Sequence, residues 1–166
     1  MATDQPDARH DWLRHANRVT GEHRRRWQRG RGGTTGWSPC GNQWDVVAVR
    51  PKILGLNALT ELRLSPTCGY PVLADHLGDT LYIMVELARH APEIRTEGVR
   101  LLSAGSVILV PYAAGGSPRA HWISPPRQDP PPLPPADRLT QTIDRLAKDG
   151  TARTPVERPP SPPARP

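Results

Sequence analysis

Among the carboxylates in the apolar middle of the chain, Asp45, Asp75, Asp79 and Glu86 form the set that could do chemistry. Acidic side chains of this kind hold the metal ions of phosphoryl-transfer sites, provided they converge on one point. Asp45 lies near the start of a strand-like run, and Asp75 and Asp79 flank a turn-like one. Nothing in this spacing forces convergence, and ordinary strand-end and turn roles account for the same residues. The six His residues, His10, His15, His23, His76, His90 and His121, include no pair spaced to ligate from one helix face. Cys40 and Cys68 belong to no CxxC and have no His at a zinc-ligand spacing. A disulfide between them and two free thiols are both open; free thiols fit a reducing compartment. No GxxxxGK[ST], HExxH or GxSxG is present, and the glycine run from Gly30 to Gly36 breaks the dinucleotide pattern at Thr35. No metal or organic cofactor is expected.

A second chemistry is written in arginine and tryptophan. The net charge is +6, and it is uneven: residues 1–36 hold eight Arg against four acids, whereas the stretch 37–127 is close to neutral. Arg14, Arg18, Arg24, Arg25, Arg26, Arg29 and Arg31 crowd a short segment with Trp12, Trp27 and Trp37 interleaved. Arginines contact phosphates and indole rings stack on bases, so the pattern suits electrostatic, sequence-independent binding of DNA or RNA. The competing reading is a solvated helix whose Trp residues dock on the core.

Elements must position these groups. Over residues 8–29, Trp12, Ala16, Val19, His23 and Trp27 recur at helical steps, with Asp11 as a cap, and Arg29 to Gly36 reads as a flexible linker. Hydrophobic residues make up 36% of the chain but concentrate from Trp44 to Ile123, and about 90 residues suffice for a working core. The core has no Phe, so Trp44, Tyr70, Tyr82, Tyr112 and Trp122 must supply aromatic volume. Residues 44–50 read as a buried strand, 51–63 as a helix with Ile53, Leu54, Ala58, Leu59 and Leu62 on its apolar face, and 71–75 and 80–85 as strands about a turn. A hairpin is expected from 99–102 and 107–110 around Ala104-Gly105, then a last strand at 120–123. This order predicts an α+β, mixed α/β fold, a five- to six-stranded mixed sheet with one main packed helix. PPRQDPPPLPP, residues 125–135, is an extended spacer. Leu139, Ile143 and Leu146 mark a short helix over 137–149, and residues 151–166 are a proline-rich, disordered tail. The organisation expected is therefore an arm (1–36), a core domain (37–127) and a tail region (128–166).

The run from Gly98 to Pro111, an Arg-bearing strand, a Gly turn and a strand ending in Pro, resembles the closing hairpin of the bifunctional primase–polymerase domain of the archaeo-eukaryotic primase superfamily. Gly78-Asp79-Thr80-Leu81-Tyr82-Ile83 looks like that family's Gly-x-His-hydrophobic-aromatic strand. Val46 to Arg50 occupies the place of its hydrophobic-Asp-hydrophobic-Asp strand, and His121-Trp122 that of its terminal aromatic strand. The resemblance covers roughly residues 40–125. It implies the family's fold, but its two metal-binding Asp positions fall on Ala48 and Arg50, and its nucleotide-contacting His on Thr80. An Arg in place of a Mg²⁺ ligand repels the ion. The resemblance thus implies an inactive primase–polymerase-like domain with an accessory nucleic-acid- or nucleotide-binding role, in which Arg100 either contacts phosphate or points outward and pairs with Glu97 or nearby acids.

The rival expectation is an adaptor with no nucleic-acid role, using the C-terminal helix and the Pro-rich tail, where Pro160 to Arg165 matches PxxPxR, to engage a partner protein. A third is an active nucleotidyltransferase built on Asp45, Asp75 and Asp79. The N-terminus lacks a secretory apolar core, and runs such as Leu81 to Val85 are too short to span a bilayer. A cytoplasmic protein without a membrane partner is expected.

Overall fold

From Val46 to Val49 the chain has no polar alternate positions, and a strand without a polar face must be covered on both sides. This run is strand β2 (Asp45–Val49), buried at every residue. It lies inside a six-stranded sheet with β3 (Val72–Asp75), β4 (Thr80–Val85), β5 (Val99–Leu102), β7 (Gly116–Ser117) and β8 (Ala120–Ser124), in the order β5-β2-β4-β3-β8-β7. A two-stranded ribbon of β1 (Thr35–Pro39) and β6 (Val107–Pro111) and two helices, α1 (Lys52–Glu61) and α2 (Ala136–Thr151), complete the α+β architecture. The computed structural model describes residues 35–90, 92–111, 116–128 and 130–151.

Every described ladder is antiparallel. The α1 crossover does return the chain parallel to β2, but β4 folds back from β3 through the tight turn at His76–Asp79 and inserts between them. The parallel pair is thereby split, and the mixed pairing expected from a strand–helix–strand order is replaced by antiparallel contacts.

Two cores result from the period-2 alternation of the strands. On one face Val47, Val49, Leu81, Ile83 and Ala74 meet Ala58 and Leu59 of α1 and Leu139 and Ile143 of α2. On the other, Val46, Met84, Leu73 and Trp122 meet Trp44, Cys40, Ile108 and Val110, which the ribbon brings over. Of the aromatics expected to fill the core, Trp44 and Trp122 are buried, Tyr70 and Tyr82 are half-buried, and Tyr112 lies outside the described residues.

Four expectations change. Residues 99–102 and 107–110 do not pair with each other: β5 pairs with β2 and β6 with β1. The turn at Ala104-Gly105 is present, with the Ser106 amide bonded to Ser103 O, but there the chain leaves the sheet and crosses to cover the second apolar face. Thr35 and Gly36, read as linker, begin β1, because they have β6 to pair with. The helix expected over 137–149 does not stand apart as tail: Leu139 and Ile143 are fully buried on the sheet beside α1, so two helices pack rather than one. The proline segment before it is held too, with the Glu86 amide donating to Pro134 O. Finally, Ile53 is 59% exposed, since the buried face of α1 is narrow and built from Gly55, Ala58 and Leu59. Gly55 lets α1 approach closely there: a Cβ would lie 2.8 Å from the end of the Leu81 side chain, which would have to shift.

Candidate functional site

Register places one row of side chains across the second face of the sheet. Arg100 of β5 pairs with Ala48 of β2, Ala48 with Tyr82 of β4, and Tyr82 with Leu73 of β3. Arg100 and Tyr82 thus stand two strands apart, roughly 9–10 Å, with only the methyl group of Ala48 between them. Asp75, opposite Thr80, is the diagonal neighbour of Tyr82 on the same face, within reach of an aromatic side chain. The ribbon does not extend far enough to cover this corner. It leaves a cleft of about 340 Å³ lined by Trp37, Asp75, Tyr82, Arg100, Ser106 and Arg119 together with apolar ribbon side chains. That volume lies at the lower end of small-ligand sites, about 300–1,000 Å³.

Each polar wall is set by local structure. The Asp75 carboxylate caps the β3–β4 turn, its Oδ1 accepting from the Leu77 amide at 3.0 Å and the Gly78 amide at 2.9 Å. Its Oδ2 has no hydrogen-bond partner among the described residues. The Tyr82 phenol is held above its ordinary pKa, first by burial and then by the Asp75 charge, with Arg100 acting in the opposite direction. It therefore keeps its proton, and its hydrogen-bond donor, at neutral pH. Arg100 and Arg119 are exposed at the rim, and neither forms an ion pair among the described residues. Trp37 is 68% exposed because strand alternation turns Ser38, not Trp37, into the core.

The structure distributes the residues singled out from sequence unequally. Arg14, Arg18, Arg24, Arg25, Arg26, Trp27, Arg29 and Arg31 lie outside the described residues. Arg100 lines the cleft and does not pair with Glu97. The carboxylates of the metal-centred reading do not converge: Asp45 is buried and its Oδ2 accepts from the Ala88 amide at 2.8 Å, Asp79 faces Lys52 at 3.3 Å, and Asp75 holds its turn. Among the described residues no group of three His, Cys, Asp or Glu side chains could hold a metal ion. Cys40 and Cys68 are free, one buried and one exposed. Arg119 is the cleft residue that sequence reasoning missed. It sits in the two-residue turn between β7 and β8, where no periodicity marks it.

Two other clefts offer less. One of about 590 Å³ runs along α2, where Asp144 accepts from the Arg95 and Thr96 amides and the Thr96 hydroxyl, Arg95 pairs with Glu93 at 2.8 Å and Arg145 with Glu61 at 3.0 Å. The other, about 370 Å³ beside the C-terminal end of α1, is mainly apolar. Of these three clefts, the one beside the ribbon combines cations without an ion pair among the described residues, an exposed indole and half-buried polar groups.

Comparison with known proteins adds no relative: no family model, no curated protein and no solved structure matches the chain. Among the described residues no helix is long and apolar enough to cross a membrane.

Proposed function

We propose that this domain binds single-stranded nucleic acid in the cleft between the β1–β6 ribbon and the six-stranded sheet, in an accessory rather than a catalytic role. One observation carries the reading: two arginines without acidic partners flank a cleft whose lip is a largely exposed tryptophan. A guanidinium pair offers phosphate contacts, and an exposed indole offers the stacking platform that sequence-tolerant single-strand binders use. The resemblance to primase–polymerase domains favours the same sheet face, since the positions it singles out, Ala48, Thr80 and Arg100, fall in neighbouring register there. Against catalysis stand the dispersed carboxylates and the place of Ala48, where no metal ligand is available. The adaptor reading loses one of its working parts, because the apolar side of α2 is spent on the core.

The test is anisotropy of a labelled oligonucleotide at several salt concentrations. Each phosphate neutralised on a single strand contributes about −0.7 to the slope of log affinity against log salt. Replacing Arg100 and Arg119 by Gln together is expected to flatten the slope by about 1.4. Trp37→Ala is expected to weaken binding by about 1–3 kcal/mol. An intact protein that shows no salt-dependent binding at low ionic strength overturns the proposal.

A further inference from the structure

The cleft carries one group that a mere phosphate-and-stacking site does not need. Asp75 places a carboxylate among cations that are there for an anion, which weakens the attraction for phosphate. Its Oδ1 is occupied by the Leu77 and Gly78 amides, so the turn alone explains one oxygen. The other oxygen has no hydrogen-bond partner among the described residues, and Asp75 is one of the residues that line the cleft. Its diagonal neighbour Tyr82, whose hydroxyl is a donor, lines the same cleft. An acceptor and a donor on neighbouring strands, in a cleft that an exposed indole also lines, are the complement of a base edge that presents an amino group next to a ring nitrogen.

Resting on the single-strand reading above, we infer that Asp75 and Tyr82 make the cleft selective for bases that present an exocyclic amine beside an unprotonated ring nitrogen on the pairing edge, cytosine and adenine, over thymine and uracil. The N4 amine of cytosine or the N6 amine of adenine donates to Asp75 Oδ2, and the Tyr82 hydroxyl donates to the adjacent ring nitrogen. Carboxylates accept from cytosine N4 in this way in direct readout of bases. Thymine and uracil have an N3–H donor, but it lies between two carbonyl oxygens, and a carboxylate approaching it meets their negative charge. The same edge is occupied by the partner base in a duplex, so the preference belongs to unpaired strands.

Cytosine and thymine homo-oligomers of equal length separate the cases, because the rings are of one size and differ at the edge. At neutral pH the full-length protein is expected to bind oligo(dC) more tightly than oligo(dT), on the order of tenfold. Asp75→Asn keeps an oxygen for the two turn amides and turns the free acceptor into an NH₂ donor, which suits thymine O4. Losing the charge strengthens phosphate binding for both oligomers, so the readout is their affinity ratio. The ratio is expected to fall to unity or invert. A thermal unfolding midpoint equal to wild type establishes that the variant is folded, and the wild-type ratio stands as a test without any variant. Equal affinity of the wild type for both oligomers overturns the inference and leaves the single-strand reading standing. Binding of neither removes that reading and the inference with it.

Discussion

On its helical side the six-stranded sheet is covered by aliphatic side chains: Val47, Val49, Leu81 and Ile83 pack against Leu139 and Ile143. On its ribbon side the cover is a pair of five-residue strands over Trp44, Met84 and Trp122, with Cys40 and half-buried Tyr82 among them. The helices leave a mainly apolar cleft beside the end of α1, whereas the ribbon stops short at a corner that carries charged and polar groups. Aliphatic packing and polar access are thereby assigned to different sides of a shared set of strands. Alternation makes this possible: Val47 and Ala48 are neighbours in sequence, yet one serves the closed core and the other floors the row that carries the cleft.

If the helical side is the stabilising one, Ile143→Ala should give the largest loss, about 2–5 kcal/mol in urea unfolding, as expected for a fully buried side chain that leaves a cavity. A loss under about 1 kcal/mol would mean that α2 is a loosely attached tail after all. Gly41→Ala probes the seam of the ribbon side. Gly41 has φ of +84° and an added Cβ would run into the Ala104 backbone nitrogen. Neither backbone can yield cheaply, and a destabilisation of about 1–3 kcal/mol is expected. A near-neutral result would show that the 103–106 turn is not locked to the end of β1.

The third expectation is a pH effect on the ribbon side alone. Burial, with the Asp45 charge adding to it, pushes the Cys40 thiol from 9.0 to about 11. The folded state therefore holds this proton after the unfolded chain has released it. The sign follows: the contribution is full below pH 9, and stability declines as the pH rises from about 9 to about 11. Cys40→Ala should remove that part of the decline in the urea midpoint, whereas an unchanged pH profile would place the thiol in contact with solvent. The smallest effect belongs to the cleft. Trp37→Ala should change stability by no more than about 0.5 kcal/mol, because the ring is mostly in water. A loss comparable to that of Ile143→Ala would reassign Trp37 from binding to packing.

The elements legible in the sequence are those whose own residues decide them. β2 is apolar on both faces and can only be interior, and Leu139, Ile143 and Leu146 fix a helix by spacing. Where a partner distant in sequence decides, the pattern is silent. Ala104-Gly105 reads as a hairpin turn because the flanking runs are strand-like, but β6 is claimed by Thr35–Pro39, a segment whose first two residues read as linker and which Gly36 and Pro39 make unlike a strand. The docking of α2 is hidden for the same reason, since a proline-rich spacer precedes it and no local signal shows that Pro134 is bonded to Glu86. Of the site, Arg100 and Trp37 stand out by type and place. Arg119 and the role of Ala48 as a gap between Arg100 and Tyr82 emerge only from register.

The burial of Cys40 has a kinetic consequence. Its amide is bonded to Ser106 O, and its neighbour Gly41 to Trp44 O, so the thiol meets solvent only when the end of β1 lifts from the 103–106 turn. In a chain whose exposed Cys68 is replaced by Ser, the rate of alkylation at Cys40 is then a clock for that opening. Its dependence on urea distinguishes a local excursion, nearly insensitive to denaturant, from global unfolding, which is steeply sensitive. Because the same ribbon carries Trp37, a slower clock in the presence of an oligonucleotide would report how far a bound strand holds the ribbon closed.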